Sequence, residues 1–206
     1  MIFAMHSGSS GRSLKGFTLI ELLIVIAILA VLAAAVVVVL NPAELLARAR
    51  DTQRLNDLDT VRNALNIYIT TVSPIDLGDC VAAGRATFQP GATMGPFANH
   101  VGSVTVPAAA DMQKVNNAGW VNVNFTQIPG GAPLPYLPID PTNDANYFYA
   151  YACSESPNYI YELAGRLESQ THRDKMKIDG GSNSTCATYI EKTCFYELGT
   201  APGLSL

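Results

Sequence analysis

A single apolar run near the N-terminus constrains this chain more than any other feature. Between Phe17 and Leu40 only Thr18 and Glu21 are polar, and no further charge occurs before Glu44. The run covers 24 residues, and as a helix at about 1.5 Å per residue it spans roughly 36 Å, enough to cross a hydrocarbon layer of about 30 Å. A buried helix of a soluble protein is rarely apolar on all sides over this length. The sequence therefore predicts a membrane-spanning helix.

The residues around the run differ from those of an ordinary secretory signal. Such a signal places a small-residue cleavage site after its apolar core, whereas this core leads through Asn41 and Pro42 into charged residues. The suitable small residue is Gly16, ahead of the core. A peptidase that cuts after Gly16 would remove a leader of residues 1–16 and leave the apolar helix on the mature protein, with Phe17 as its first residue.

The stretch KGFTLIELLIVIAILAVLAAA resembles the class III signal and N-terminal helix of type IV prepilins and type II secretion pseudopilins. The resemblance covers residues 15–40. It implies that a prepilin peptidase cuts after Gly16 and methylates the new amine of Phe17, and that Glu21 is the family's single acidic residue. It also agrees with an α+β pilin fold, in which a long N-terminal helix packs against a small C-terminal antiparallel sheet.

Glu21 needs a partner, because an ionised carboxylate inside a bilayer costs about 2.5–3.5 kcal/mol on insertion scales. The positive end of the helix dipole lies nearby, and cleavage creates a cationic amine on Phe17. That amine starts its own backbone, so the amine of a neighbouring subunit can approach Glu21 more closely. We expect this pair to fix axial register in a polymer, while apolar helix packing supplies most of the energy. The alternative is a lone carboxylate that reaches water at the membrane interface.

A second helical segment follows the apolar run. Its apolar residues recur at steps of three or four and define one face: Leu55, Leu58, Val61, Leu65, Tyr68 and Val72. The other side carries Arg48, Asp51, Arg54, Asp57, Arg62 and Asn66. Pro42 predicts either a kink or a stop, and the resumed periodicity favours a kink within one helix over residues 18–72. Its membrane part is residues 17–41, and its amphipathic part is residues 42–73.

The remaining residues, 74–206, are expected to form an exported head. Residues 74–118 are rich in Gly, Ala and Pro and are interpreted as a connector with short local elements, including a helical turn near residues 108–115. Residues 170–206 are interpreted as a Cys-bounded loop and a tail.

Three segments predict the sheet. Apolar and polar residues alternate over 120–125 and 146–153, as in half-buried strands, and a third strand is expected within 158–169. These strands place the sheet within residues 119–169, with one face on the amphipathic helix. The tail can add an edge strand at 195–198.

All four cysteines lie beyond the apolar run, at Cys80, Cys153, Cys186 and Cys194. An even number in a region expected to be exported predicts two disulfides, with three possible pairings. No Cys-x-x-Cys spacing indicates zinc. The resemblance implies the pair Cys186–Cys194, because many pilins close a C-terminal loop in this way, and with it the pair Cys80–Cys153, which ties the connector to the central strand.

The segment LPIDPTNDANYFYAYA resembles, loosely, the region of major pseudopilins that holds a calcium ion. The resemblance implies calcium ligands at Asp140, Asn143 and Asp144, which carry the oxygen atoms that calcium prefers. The aromatic-Gly-Asn-Pro run of that family is missing here. Asp and Asn beside Pro141 are also common turn residues, and that interpretation needs no cofactor.

The sequence does not predict an enzyme. It has no phosphate loop, Gly-x-Ser-x-Gly or His-Glu-x-x-His motif. Its three histidines are His6, in the leader, and His100 and His172, which we expect to be solvated. The net charge of −4, or −6 without the leader, gives no electrostatic footprint for nucleic acid.

Three functions fit these features. The first is a subunit of a type IV pilus-like filament, and the second is a pseudopilin of a type II secretion or DNA-uptake machine. The third is an uncleaved, single-pass anchored protein whose head binds a ligand. The first two imply a prepilin peptidase, other subunits, a membrane assembly platform and a motor ATPase as partners. They also imply residence in the cytoplasmic membrane before assembly and in a cell-surface or periplasmic filament afterwards.

Overall fold

The computed structural model describes residues 16–80, 84–88, 97, 104–154, 159–186, 189 and 194–201. The expected leader, apart from Gly16, lies outside the described residues. The chain divides into two compact units, Met1–Pro42 and Ala43–Leu206.

The first unit contains one described helix, α1 (Leu19–Leu40). Its described side chains are all exposed, and Leu19–Val37 is long and apolar enough to cross a membrane. An apolar helix with no buried face has no core of its own to pack on, so lipid or other protein must cover it. The predicted apolar N-terminal helix is confirmed.

A second helix, α2 (Pro42–Thr71), begins two residues after α1 ends. Asn41 between them has φ 41° and ψ 75°, the left-handed conformation, which Asn adopts more readily than most residues. Pro42 has no N–H group, so as the first residue of α2 it loses no helical hydrogen bond. The prediction of one helix over residues 18–72 is therefore wrong, because the helix is interrupted at Asn41 instead of kinked.

The second unit contains a four-stranded antiparallel sheet in the order β1-β2-β3-β4. The strands are β1 (Arg85–Ala86), β2 (Ala150–Ser154), β3 (Ile160–Gly165) and β4 (Tyr196–Gly199). Strand β3 lies within its predicted segment, β2 extends one residue beyond its predicted segment to Ser154, and β4 matches the predicted edge strand to one residue. The sequence also predicts a short hairpin loop at 154–157 between β2 and β3, of which residues 155–157 lie outside the described residues. Together with the helices, this sheet gives the α+β, pilin-like arrangement that the sequence predicts.

The apolar face of α2 packs against this sheet. Leu58, Val61, Leu65 and Tyr68 are buried and form one cluster with tyrosines of β2 and β3. The hydroxyl of Tyr161, for example, donates to the side-chain oxygen of Asn66 at 2.8 Å. The helical periodicity therefore identified the core face correctly.

The segment 120–125 is buried but is not a strand of the sheet. Its backbone hydrogen bonds go to residues 112–117 instead: the N–H of Trp120 donates to the carbonyl of Met112 at 3.1 Å, and that of Phe125 to Val115 at 2.8 Å. It ends in a 3₁₀ helix, Phe125–Gln127. The prediction of a strand here is wrong, since the alternating pattern reflects a loop folded back over a helical turn.

Candidate functional site

The predicted cleavage site lies at the edge of the described residues, and few of their atoms lie near it. No described atom lies within 4 Å of the position that a Cβ on Gly16 would occupy. The side chain of Phe17 is 84% exposed. Neither residue belongs to a helix, because α1 begins at Leu19. Among the described residues, none covers the peptide bond between Gly16 and Phe17.

Thr18 and Glu21 form a reciprocal cap at the start of α1. The backbone N–H and the hydroxyl of Thr18 donate to Glu21 Oε2 at 2.9 and 2.7 Å, and the N–H of Glu21 donates to Thr18 Oγ1 at 3.2 Å. This capping box satisfies N–H groups that a helix start otherwise leaves without partners. Thr18 therefore orients the carboxylate of Glu21 within its own chain.

The second carboxylate oxygen of Glu21 is available. Among the described residues, none donates a hydrogen bond to Glu21 Oε1, and the nearest charge further along the chain is Glu44. A carboxylate with one oxygen fixed and the other open can accept a hydrogen bond from an incoming cation. This is the chemistry that pairing with an amine requires.

Sequence reasoning missed the role of Thr18, although the signal was present. The pattern Thr-x-x-Glu ahead of an apolar run is the signature of a capping box, and residues 18–21 match it. The resemblance drew attention to Glu21 alone.

A buried ionic cluster joins the first turns of α2 to the rest of the head. Arg54 is fully buried and donates to both carboxylate oxygens of Asp140, at 2.8 and 3.1 Å, and to Asp51 Oδ1 at 2.8 Å. Burial lowers the pKa of Arg54, but the hydrogen bonds to Asp140 and Asp51 and the charges of Asp140 and Glu168 outweigh it and hold the pKa above its ordinary value. Arg54 and Asp51, which the sequence analysis assigned to the side of α2 away from its apolar face, are therefore both buried.

Asp51 also anchors the chain after β3. Its carboxylate accepts hydrogen bonds from the backbone N–H groups of Glu168, at 2.9 Å, and Ser169, at 2.8 Å. His172 Nδ1 lies 3.9 Å from Asp51 Oδ2, and the His172 side chain is 21% exposed. His172 is thus half-buried, not solvated as expected, and His100 lies outside the described residues.

Two disulfides join the four cysteines, Cys80–Cys153 and Cys186–Cys194. These are the pairs that the resemblance implied. The first pair joins residues 73 positions apart and the second joins residues eight positions apart. The first therefore fixes the connector onto β2, whereas the second closes a short C-terminal loop.

The carboxylates of two of the three candidate calcium ligands have other partners in this structure. The third, Asn143, donates its side-chain N–H to the Thr87 carbonyl at 3.2 Å, and its buried Oδ1 accepts no hydrogen bond from the described residues. Asp140 binds Arg54, and its Oδ1 also accepts the N–H of Thr142 at 2.8 Å. Asp144 Oδ1 accepts backbone N–H groups of the following turn. A dication beside the guanidinium of Arg54 would be repelled by it and would compete for the same oxygens. These side chains therefore fit a turn tied to α2 better than they fit calcium.

The part of the chain that the structure describes contains no group of three or more His, Cys, Asp or Glu side chains that could hold a metal ion. Open surface depressions occur, and one of about 510 Å³ is lined by Gln113, Lys114, Thr126, Tyr136 and neighbouring residues.

Comparison with known proteins bears on the N-terminus alone. Residues 12–37 match the family model described as the prokaryotic N-terminal methylation motif. No curated protein and no solved structure matches the chain. The matched range contains Gly16, Phe17, Thr18 and Glu21, the residues of the site described above. This segment is therefore a class III signal peptide of the type IV prepilin and pseudopilin kind.

Proposed function

We propose that this chain is a structural subunit of a type IV pilus-like filament. A prepilin peptidase cuts after Gly16 and methylates Phe17, and the mature subunit polymerises through α1. The observation that carries the proposal is an apolar helix whose described side chains are all exposed and whose one carboxylate is oriented by Thr18, directly after the matched cleavage motif.

The energetics of assembly explain why one carboxylate matters. A helix that leaves lipid for a bundle of apolar helices gains little hydrophobic free energy, because lipid tails are as apolar as Leu. Packing then holds the helices together without selecting one axial position. Glu21 supplies that selection, because its charge is costly in an apolar environment unless a cation lies beside it. The Phe17 amine of a neighbouring subunit provides that cation and fixes the register.

The disulfides support an exported head. Disulfides persist in oxidising compartments outside the cytoplasm, and both pairs lie in the second unit. The subunit therefore waits in the cytoplasmic membrane with α1 in lipid and the head outside. A membrane platform and a motor ATPase then insert it into the growing filament.

The test compares Glu21→Gln with wild type in cells. Glutamine keeps the length of the side chain and its capping oxygen but removes the charge, so we expect normal cleavage and methylation with a loss of incorporation into filaments. Mass spectrometry of the N-terminus measures processing, and sheared surface filaments measure assembly. Glu21→Asp, which retains the charge on a shorter side chain, should assemble better than Glu21→Gln. Normal filaments from Glu21→Gln would refute the register role.

The same measurements separate the alternatives. A native chain that still carries residues 1–16 would identify an uncleaved anchored protein and contradict filament assembly. A processed chain that forms no long surface fibres would instead be a pseudopilin.

A further inference from the structure

The head carries a polarised distribution of charge. Segments 42–54 and 168–178 hold six Lys or Arg residues and four Asp or Glu residues, a net charge of +2. The rest of the chain beyond residue 41 holds five basic and twelve acidic residues, a net charge of −7. The cations are thus concentrated in two short segments of an otherwise acidic head.

Hydrogen bonds join these segments into one region, which we call the basic end (42–54 and 168–178). The carboxylate of Glu44 accepts the backbone N–H groups of Gln170, at 3.2 Å, and Thr171, at 3.3 Å. Further along α2, the Nε of Arg50 donates to Glu168 at 2.6 Å. The segment that follows β3 therefore lies against the first turns of α2.

The basic end exposes apolar side chains among its cations. Leu45, Leu46 and Ile178 are 49%, 60% and 82% exposed. Lys175 is exposed as well, and among the described residues none accepts a hydrogen bond from its ammonium group. Exposed aliphatic side chains interleaved with Lys and Arg are typical of surfaces that sit at the headgroup level of a membrane.

The covalent chain alone keeps this region near the bilayer. Glu44 follows Leu40, the last residue of α1, by four residues, which extend over at most about 14 Å. Thr171, bound to Glu44, is likewise four residues from Lys175. The attraction of a cation to an anionic leaflet acts within a Debye length of about 8–10 Å. The first cations of α2 therefore follow the end of α1 by a short stretch of chain, and the segment 168–171 is held beside them by Glu44 and Arg50.

We infer that the basic end docks on anionic lipid headgroups of the bilayer that α1 spans. The acidic remainder of the head is repelled by the same surface, so attraction and repulsion together orient the head before assembly. The inference rests on the membrane-anchored precursor of the proposed function. It adds a lipid-binding surface that must be released when the subunit enters a filament.

The test places the full chain in nanodiscs of phosphatidylglycerol or of phosphatidylcholine. Trp120, the single tryptophan, acts as the energy donor, and a trace of dansyl-labelled headgroup lipid acts as the acceptor. We expect more efficient transfer in the phosphatidylglycerol discs and a loss of that difference at 1 M salt, where the Debye length is about 3 Å.

The matched variants are Lys175→Glu and Lys114→Glu, which change the net charge equally. Lys114 lies outside the basic end and is also exposed. At about five-fold in the docking equilibrium per unit charge, Lys175→Glu should abolish most of the difference between lipids, and Lys114→Glu should retain it.

Three outcomes would overturn the inference. Equal energy transfer in the two lipids contradicts docking. Equal effects of Lys175→Glu and Lys114→Glu would show that the net charge of the chain, and not the basic end, sets the transfer efficiency. If energy transfer depends on the number of chains per disc but not on lipid charge, the basic end binds a second copy of the chain instead of lipid. Failure of the chain to stay with the discs contradicts the membrane anchor itself, which distinguishes it from failure of the docking surface.

Discussion

Replacement of Arg54 by methionine should destabilise the head strongly. Arg54 is fully buried and donates four hydrogen bonds, two to Asp140, one to Asp51 and one to Thr142 at 3.0 Å. Methionine fills a similar volume but leaves two buried carboxylates without their cation. Removal of one partner of a buried ion pair typically costs about 3–5 kcal/mol.

The surroundings explain why the loss should not exceed that range. Asp51 keeps the N–H groups of Glu168 and Ser169, and Asp140 keeps that of Thr142. These donors stabilise an isolated carboxylate in part. We therefore expect a loss of about 3–5 kcal/mol in the free energy of unfolding.

Urea unfolding of the detergent-solubilised chain, followed by Trp120 fluorescence, measures this loss. Trp120 is buried, its indole N–H donates to the Pro138 carbonyl at 2.8 Å, and its ring lies 5.8 Å from that of Tyr149. Its emission therefore reports whether the core of the head is intact.

The control is Arg62→Met on the same helix. Arg62 pairs with Asp59 at 2.8 Å, but both side chains are well exposed, and exposed pairs contribute only about 0–1 kcal/mol. A loss for Arg54→Met no larger than that for Arg62→Met would refute the structural role of the buried cluster. The double variant Arg54→Met with Asp140→Leu should recover part of the loss, because it also removes one orphaned charge.

Three further outcomes are expected from the same unfolding assay. Burial raises the pKa of Glu197, which shares a hydrogen bond with Glu162, above its ordinary value of 4.5. The folded head therefore retains a proton that the unfolded chain releases, so the free energy of unfolding should fall as pH rises past 4.5. Glu197→Gln should make the free energy of unfolding depend less on pH. Serine at both Cys80 and Cys153 should cost up to about 4 kcal/mol, because their bond closes a loop of about 74 residues, and no change would contradict a bond in the native protein. Calcium and chelator should leave the unfolding midpoint unchanged, whereas a rise with calcium would favour a site at Asp140.

Features set by local periodicity could be predicted from the sequence. The apolar run identified α1, steps of three and four identified the buried face of α2, and alternation identified β2. In each case one short pattern is enough, because residues at a fixed spacing, three or four in a helix and two in a strand, face the same environment.

Features set by distant partners could not. Strand β1 is two residues long and lies within the connector. It forms because it pairs with Tyr151 and Ala150 of β2, which are distant in the sequence. Arg54 is buried because Asp140, 86 positions away, lies beside it. A polar side chain at the margin of an amphipathic pattern is ordinarily assigned to solvent, and only the fold shows that a counter-charge is present.

The buried charges also allow α2 to pack against the rest of the fold without extending the apolar run of α1. An apolar contact in the first turns of α2 would lengthen the hydrophobic run beyond Leu40 and extend the segment that lipid can take up. Glu44, Asp51 and Arg54 instead hold residues 168–171 and Asp140 by hydrogen bonds and ion pairs. These side chains are costly to place in hydrocarbon. The residues that attach 168–171 and Asp140 to α2 therefore also limit the membrane span of the precursor that we propose.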